Sequence, residues 1–522
     1  MPTIRKLFLH DAALGGVETT LPAHLIGADK WRTQHNIRVN PALEQVPKKV
    51  VFQTFGTEDF RWIGSLPTGT PGYGQMLLLT STTMMNFAGS TVASGFADDG
   101  VYRRWATAIY AGTLYFVNEL NALCSCDGYR VTNVANVAGR YLAFWYDHAV
   151  IGWPAGQPNR VQWSDLHDFS DFTPRRGSTA NEADFYDFVE WQQLDFPYAG
   201  VTGLAKLGSR LIVYTPTAVI PLAYVGLPKV IQVDEDGILT RTGNTFPWTL
   251  VALGNVHFFY DAEESMFLAY TGGGPAEPVG EPVRQFMIDN LNPSVDLASR
   301  MYGFIDNDNR EIWWPFVSTA STGAFDKAVV FNFKYKRWYT ASVENVQSFV
   351  SGTRTLGTIA ELTGAISALS GSISSLGVGA AGSPRLFGSS VGQLLREEVE
   401  ADLASVLLPA DDPVLESADF HYGDLRTVKE NDAIVINAWW PPHDDVVQNI
   451  DVKVHGRDYL AKNVDWANVS SAGPWTPGMI DGELNYPTRY GRVLRYRFTG
   501  TNVRALSFSA FSDRVRVEVP EK

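Results

Sequence analysis

Apolar and polar positions alternate along this chain in short runs broken by turn residues, without a sustained helical period. The clearest case is Met301–Tyr339. There the aromatic-rich runs Met301–Ile305 and Glu311–Val317 flank Asp306-Asn307-Asp308-Asn309-Arg310, and a third run, Ala328–Phe333, ends at a Lys/Tyr/Lys/Arg turn before Trp338-Tyr339. Asp and Asn tolerate left-handed backbone and bond their own main chain, so such clusters between β-branched and aromatic runs predict hairpin turns. The stretch predicts one antiparallel sheet of four short strands, the size of a propeller blade. Weaker copies of this grammar run through Phe60–Phe87, Trp105–Asn133, Tyr141–Trp163, Val201–Val225, Phe246–Tyr270 and Arg385–Gly388 with Gln393–Val399. Counting the weakest or leaving it out gives seven or six blades.

The flanks differ from this body. Residues 1–50 predict an extended N-terminal strap, with a turn at Asn40-Pro41. Residues 51–405 form the propeller body, with longer gaps such as Asp165–Gly200 read as loops inserted between blades. Within 341–383, Ile359, Leu362, Ile366, Leu369, Ile373 and Leu376 keep helical spacing, but Gly and Ser interrupt them. That stretch, with a Gly/Ser-rich insertion at 356–384, reads as a short helical or irregular linker, or as a docking element for a neighbouring subunit. From residue 406 the runs Ala433–Trp440, Ile450–Val454, Leu494–Phe498 and Leu506–Phe511 suit a C-terminal β-sandwich-like domain, with closure of the propeller by the same region as a further option. The expected class is therefore all-β: a β-propeller of six or seven blades with an N-terminal strap and that C-terminal domain.

Composition narrows the function. A net charge of −14 over 522 residues argues against binding nucleic acid by phosphate neutralisation, without excluding a surface that nucleic acid slides past. The abundance of 15 Trp, 21 Tyr and 29 Phe fits packed sheets. Cys124 and Cys126, two apart on an expected strand, point the same way and read as structural thiols. The N-terminus lacks an apolar signal core, and Leu362–Pro384 is too rich in small residues for a membrane span, so a soluble protein made in a reducing cytoplasm is expected.

Two stretches hold candidate functional residues. The acidic, aromatic segment after Trp163 carries Asp165, Asp168 and Asp171 three apart, with Phe169, Phe172, Asp184 and Asp187. It can be a carboxylate site, a partner-binding loop through Asp168, Phe169 and Phe172, or a solvated loop with aromatic anchors. No EF-hand pattern is present, and no rigid element sets a catalytic carboxylate separation. The second is a basic cluster, Arg489, Arg492, Arg495 and Arg497. Arg495 and Arg497 alternate with Leu494, Tyr496 and Phe498, which puts them on one strand face, either solvated or meeting an acidic neighbour. The sequence has no G-x-S-x-G, H-E-x-x-H, P-loop or G-x-G-x-x-G following a strand, and its nine histidines are unpaired. No catalytic, cofactor-binding or metal-binding residue is assigned.

The order of motifs resembles the packaged-DNA stabilisation, or tail-hub, proteins of short-tailed bacteriophages. The likeness runs from Asn36-Ile37-Arg38 in the strap through RVQWSDLHDFSDFTP (Arg160–Pro174) and GVTGLAKLGSRLIVYTPTAVIPLAYVG (Gly200–Gly226). It continues in MYGFIDNDNREIWWPF with FDKAVVFNFKYKRWY, and in GRVLRYRF (Gly491–Phe498). The resemblance implies a structural virion protein without catalytic residues, assembled in the host cytoplasm as a ring of about six copies. It would sit below the portal and its adaptor, extend the channel for double-stranded DNA, retain the genome and anchor tail fibres or spikes. The competing reading is a propeller glycosidase or carbohydrate-binding module using Asp165–Asp187.

Overall fold

The computed structural model describes residues 4–517 except 12–13, 41, 47–48, 57–58, 67–75, 87–88, 102, 176–179, 189–199, 296–300, 322, 344–345, 351–385, 390–391, 398–412, 421–427, 440–448, 458–463, 465–468, 470, 476–481, 492 and 502–506. The chain is all-β, and its body is a β-propeller. Among the described residues, seven antiparallel meanders of four strands follow one another. The seven sequence segments each fall in one of them.

Blade 1 is built from Trp62–Ser65, Met76–Leu79, Thr83–Asn86 and Thr91–Ser94. Blade 2 takes Ala106–Tyr110, Thr113–Val117, Ala122–Cys126 and the first half of Val131–Trp145; blade 3 takes the second half, then His148–Pro154, Arg160–Trp163 and Asp184–Asp187. Register shifts opposite Ala122–Cys124 bend the shared strand where one blade passes into the next. Gly139 sits at that passage, where an added Cβ would come within 2.3 Å of Ile151 Cγ2. Blade 4 runs Gly203–Leu207, Arg210–Tyr214, Ala218–Tyr224 and Ile231–Val233; blade 5 runs Val251–Leu253, Val256–Asp261, Met266–Tyr270 and Glu277–Pro278. Blade 6 runs Phe304–Asp306, Glu311–Phe316, Lys327–Asn332 and Arg337–Ser342. Blade 7 has Val346–Val350, Leu386–Ser389 and Gln393–Glu397, and its fourth strand is Lys49–Thr54 from the N-terminal region.

Apolar clusters close the ring. Leu77, Leu79 and Met84 of blade 1 pack on Trp105, Leu114 and Phe116 of blade 2. The next four interfaces repeat the arrangement between successive blades. Phe304, Trp313 and Tyr339 of blade 6 meet Val346, Phe349 and Leu395 of blade 7. Leu394 of blade 7 then packs on Phe60, Ile63, Met76 and Leu78 at blade 1. Each central strand is thus covered on both faces, which is why Met76–Leu79 and Glu311–Phe316 are buried throughout instead of alternating.

Turn chemistry recurs as well. The Asp306 carboxylate accepts the Asp308 and Asn309 amides at 3.1 and 3.3 Å, and Arg310 takes φ 60°, forming the hairpin expected there. A second repeat runs from blade to blade. The turn after the second strand opens on a side-chain oxygen in most blades. Thr80, Asn118, Thr215, Asp261 and Ser318 each accept an amide two or three residues on, and Ser389 accepts that of Gln393.

The strap is a set of strands that stitches other elements together. Trp31–His35 lies between the outer strand of blade 6, at His35–Thr340, and Val414–Ser417. The hairpin Ile37–Asn40 with Ala42–Gln45, and the strand Ile4–Asp11, pair with or through Ser507–Val517. The C-terminal strands form two sheets: Val414–Ser417, Val493–Thr501, Asn449–Arg457 and Ser471–Trp475 in one, and Ser507–Val517, Lys429–Trp439 and Gly482–Gly491 in the other. The sheets approach each other where Asn449–Arg457 and Ser471–Trp475 meet Gly482–Gly491, which gives the sandwich-like form.

Three expectations change. Residues 165–183 lie within blade 3, between its third and fourth strands, instead of between blades. The propeller begins at residue 49, inside the expected strap, because Lys49–Thr54 is the outer strand of blade 7. The stretch 341–383 begins with the end of one strand and the whole of Val346–Val350, the first strand of blade 7. Its helical spacing from Ile359 to Leu376 and the insertion at 356–384 lie outside the described residues.

Candidate functional site: the blade 3 loop and the C-terminal arginines

The acidic loop leaves blade 3 after Trp163 and returns at Asp184, whose strand pairs with Arg160–Trp163. Its carboxylates turn onto the loop itself. Asp165 Oδ1 accepts the amides of Leu166 at 2.9 Å and Glu182 at 2.7 Å. Asp168 Oδ1 accepts the Ser170 amide at 3.0 Å and its hydroxyl at 2.6 Å. Asp171 accepts from the Thr173 amide and the Asn181 side chain, and the Thr173 amide above all holds its carboxyl below the usual range. Arg160 bonds Asp187 at 3.1 Å and lies over the Phe185 ring. Among the described residues no group of three or more His, Cys, Asp or Glu could hold a metal ion.

Asp168 is exposed, but the two phenylalanines named with it face inward. Phe172 is buried between blades 2 and 3. Phe169 is half-buried, with its ring centroid 5.0–5.7 Å from those of Phe144, Tyr110 and Tyr115. As docking residues these two are corrected: they anchor the loop, because a long loop without regular strands is held down by large apolar contacts.

Beneath the loop lies a polar core that sequence reasoning missed. His148 is fully buried; one ring nitrogen lies 2.7 Å from Ser164 O and the other 3.1 Å from Glu182 Oε2, which also accepts the Tyr224 hydroxyl. No local signal marks His148, since its hydrogen-bond partners are 16 and 34 residues away. In the next interface the buried Tyr214 hydroxyl donates to His257 Nδ1 at 2.8 Å, and His257 Nε2 donates to Lys206 O. Burial pushes His257 down from its ordinary value, which keeps it neutral. Cys124 and Cys126 are free thiols facing the blade 1–blade 2 interface, and burial pushes both up.

The basic cluster does not form one exposed stripe. Arg489 belongs to Gly482–Gly491 in one C-terminal sheet, while Arg495 and Arg497 belong to Val493–Thr501 in the other; Arg492 lies outside the described residues. Arg495 has no exposed surface. Its Nε donates to Asp419 Oδ1 at 2.7 Å and its Nη1 to Glu416 Oε1 at 3.2 Å. Arg32 of the strap lies 3.7 Å from the same Glu416, and burial first, then Arg495, lowers its affinity for the proton. Arg497 is half-buried opposite Glu416. The period-two reading placed Arg495 and Arg497 on one face, but Val493–Thr501 is an inner strand covered on both faces, so Leu494, Tyr496 and Phe498 are buried as well.

No family model and no curated protein sequence matches this chain. Among solved structures, the extracellular domain of a hybrid two-component system from B. thetaiotaomicron aligns at 8% identity over 67% of this chain, with a TM-score of 0.36. The match spans only 39% of that structure's length. BamB from Moraxella catarrhalis aligns at 8% identity over 66% of this chain and 84% of its own, with a TM-score of 0.33. Likenesses at this level carry no functional weight, and the propeller rests on its strand pairing and its ring of interfaces. Among the described residues no helix is long and apolar enough to cross a membrane.

Proposed function

We propose that this chain is a structural protein of a short-tailed bacteriophage tail. It forms a ring, six-fold in symmetry, below the portal and adaptor, extends the DNA channel, helps retain the packaged genome and anchors fibres or spikes. The observation that carries the reading is the order of the quoted motifs along the sequence. They coincide with the blade 3 loop, the strands of blade 4, the strands of blade 6 and an inner strand of the C-terminal sheets. Two further features support it. The carboxylates of the acidic loop bond their own loop, an arrangement suited to a scaffold. The net charge of −14 suits a wall that phosphates slide past. Light scattering with negative-stain class averages of the purified chain tests the reading: open six-fold rings are expected, and a monomeric disc that gains no ring in the presence of portal and adaptor would overturn it.

A further inference from the structure

In a propeller the first and third turns of every blade open on the same face. In blade 6 these two turns touch, the Phe333 amide donating to Arg310 O at 2.9 Å. Together they carry Arg310, Lys334, Lys336 and Arg337. The first three are exposed, and Arg310 and Lys336 hold left-handed backbone, φ 60° and 55°, at the tips of their hairpins. Lys334 lies over the Tyr335 ring at 4.9 Å, and the half-buried Arg337 donates through Nε to Leu14 O at 2.9 Å. None of the four pairs with a carboxylate among the described residues.

Two blades away, the same face of blade 4 presents Lys206, near the end of its first strand, and Lys229 in its third turn. Both are exposed and without an ion pair among the described residues. Between the two blades, blade 5 turns through Gly254-Asn255 and residues 271–275, which hold no charge; a Cβ added at Gly273 or Gly274 would meet nothing within 4 Å. The exposed carboxylates bordering these cations are Asp308, Glu277 at the start of the outer strand of blade 5, and Asp29 beside Gly15 of the strap.

Cations thus gather on one face of a chain whose net charge is −14. Protein–protein interfaces are depleted of Lys and built round apolar anchors, whereas nucleic-acid interfaces are polar and strongly positive. The blade 6 turns expose no large apolar side chain, and on this face of blades 4 to 6 such residues are confined to Val225 and Leu227. The spread from blade 4 to blade 6 fits a long row of phosphates, since a small anion needs cations converging on one point.

We propose that this face of blades 4 to 6 meets the phosphate backbone of double-stranded DNA, with the blade 6 turns as the main contact. It rests on the proposed passage of DNA past the chain and names where attraction acts on an otherwise acidic protein. Contacts from Lys and Arg to phosphates carry no sequence information, so the duplex is held and still slides.

Fluorescence anisotropy of a labelled duplex of about 20 base pairs, titrated with the full chain between about 50 and about 200 mM salt, tests this. Four to six cations on phosphates give a log–log salt slope between about −3.6 and about −5.4, a loss of at least about 100-fold in affinity over that range. Lys334→Gln with Lys336→Gln should lower the slope by about 2, with the thermal unfolding midpoint unchanged. Arg130→Gln, which removes an exposed cation from the third turn of blade 2, should leave the slope as it is. Absence of binding at about 20 mM salt, or a slope unmoved by the double variant, would overturn the proposal. So would displacement of the duplex by polyglutamate at equal charge, which would assign the face to an acidic protein. Rings that bind no duplex fail this proposal alone; duplex binding through blade 6 by a chain that forms no ring upholds it and fails the ring.

Discussion

Removing the Asp419 side chain separates a buried charge network from a solvated strand face. Arg495 is fully enclosed, and Asp419 supplies the shorter of its two carboxylate bonds, 2.7 Å against 3.2 Å for Glu416. Asp419→Ala leaves the guanidinium buried with half its compensation. Breaking a buried pair costs about 3–5 kcal/mol, and because Glu416 remains, a loss near the lower end, ~3 kcal/mol, is expected. Replacing the pair together, Arg495→Met with Asp419→Leu, removes the charge along with its partner and should recover most of that loss, while Arg32 still faces Glu416. Urea unfolding followed by tryptophan fluorescence reads the effect, since Trp31 pairs with Ser417 and packs edge-on to Phe498. If Asp419→Ala and Arg495→Ala both stay within about 0.5 kcal/mol of wild type, as surface substitutions do, the buried network is refuted.

Other expectations follow from the same contacts. Leu394→Ala opens a cavity at the blade 7–blade 1 closure and should cost about 2–5 kcal/mol in thermal or urea unfolding; a loss below about 0.5 kcal/mol would contradict ring closure through that cluster. Asp168→Ala removes only bonds to Ser170 and should leave stability and assembly nearly unchanged, whereas loss of a polysaccharide-cleaving activity would favour the glycosidase reading. Cys124 and Cys126, with thiols pushed up by burial, should resist iodoacetamide at neutral pH until urea unfolds blades 1 and 2; rapid labelling of the folded chain would place them at the surface.

Much of the propeller was legible because blades are local objects. The Asp306–Arg310 turn and its flanking runs state their own hairpin, and the strand-turn-strand grammar repeats often enough to mark every blade. Closure was not legible. Lys49–Thr54 pairs with Gln393–Glu397 across more than 330 residues, and nothing in a six-residue β-run names so distant a partner. That strand makes the seventh meander a complete blade, which the sequence left between six and seven. For Arg495 the alternation gave the correct face but not its fate, because burial depends on which sheet covers it. The aromatic anchors Phe169 and Phe172 belong to the same class. Their loop is plain in the sequence, and the tyrosines that receive Phe169 lie in another blade.

The central claim is that this chain is a ring component of a tail. Quantitative mass spectrometry of purified phage particles tests it most directly: the account predicts about six copies per particle, a closed ring at a single site. Particles that carry none, or copies by the hundred as a shell protein would, contradict it.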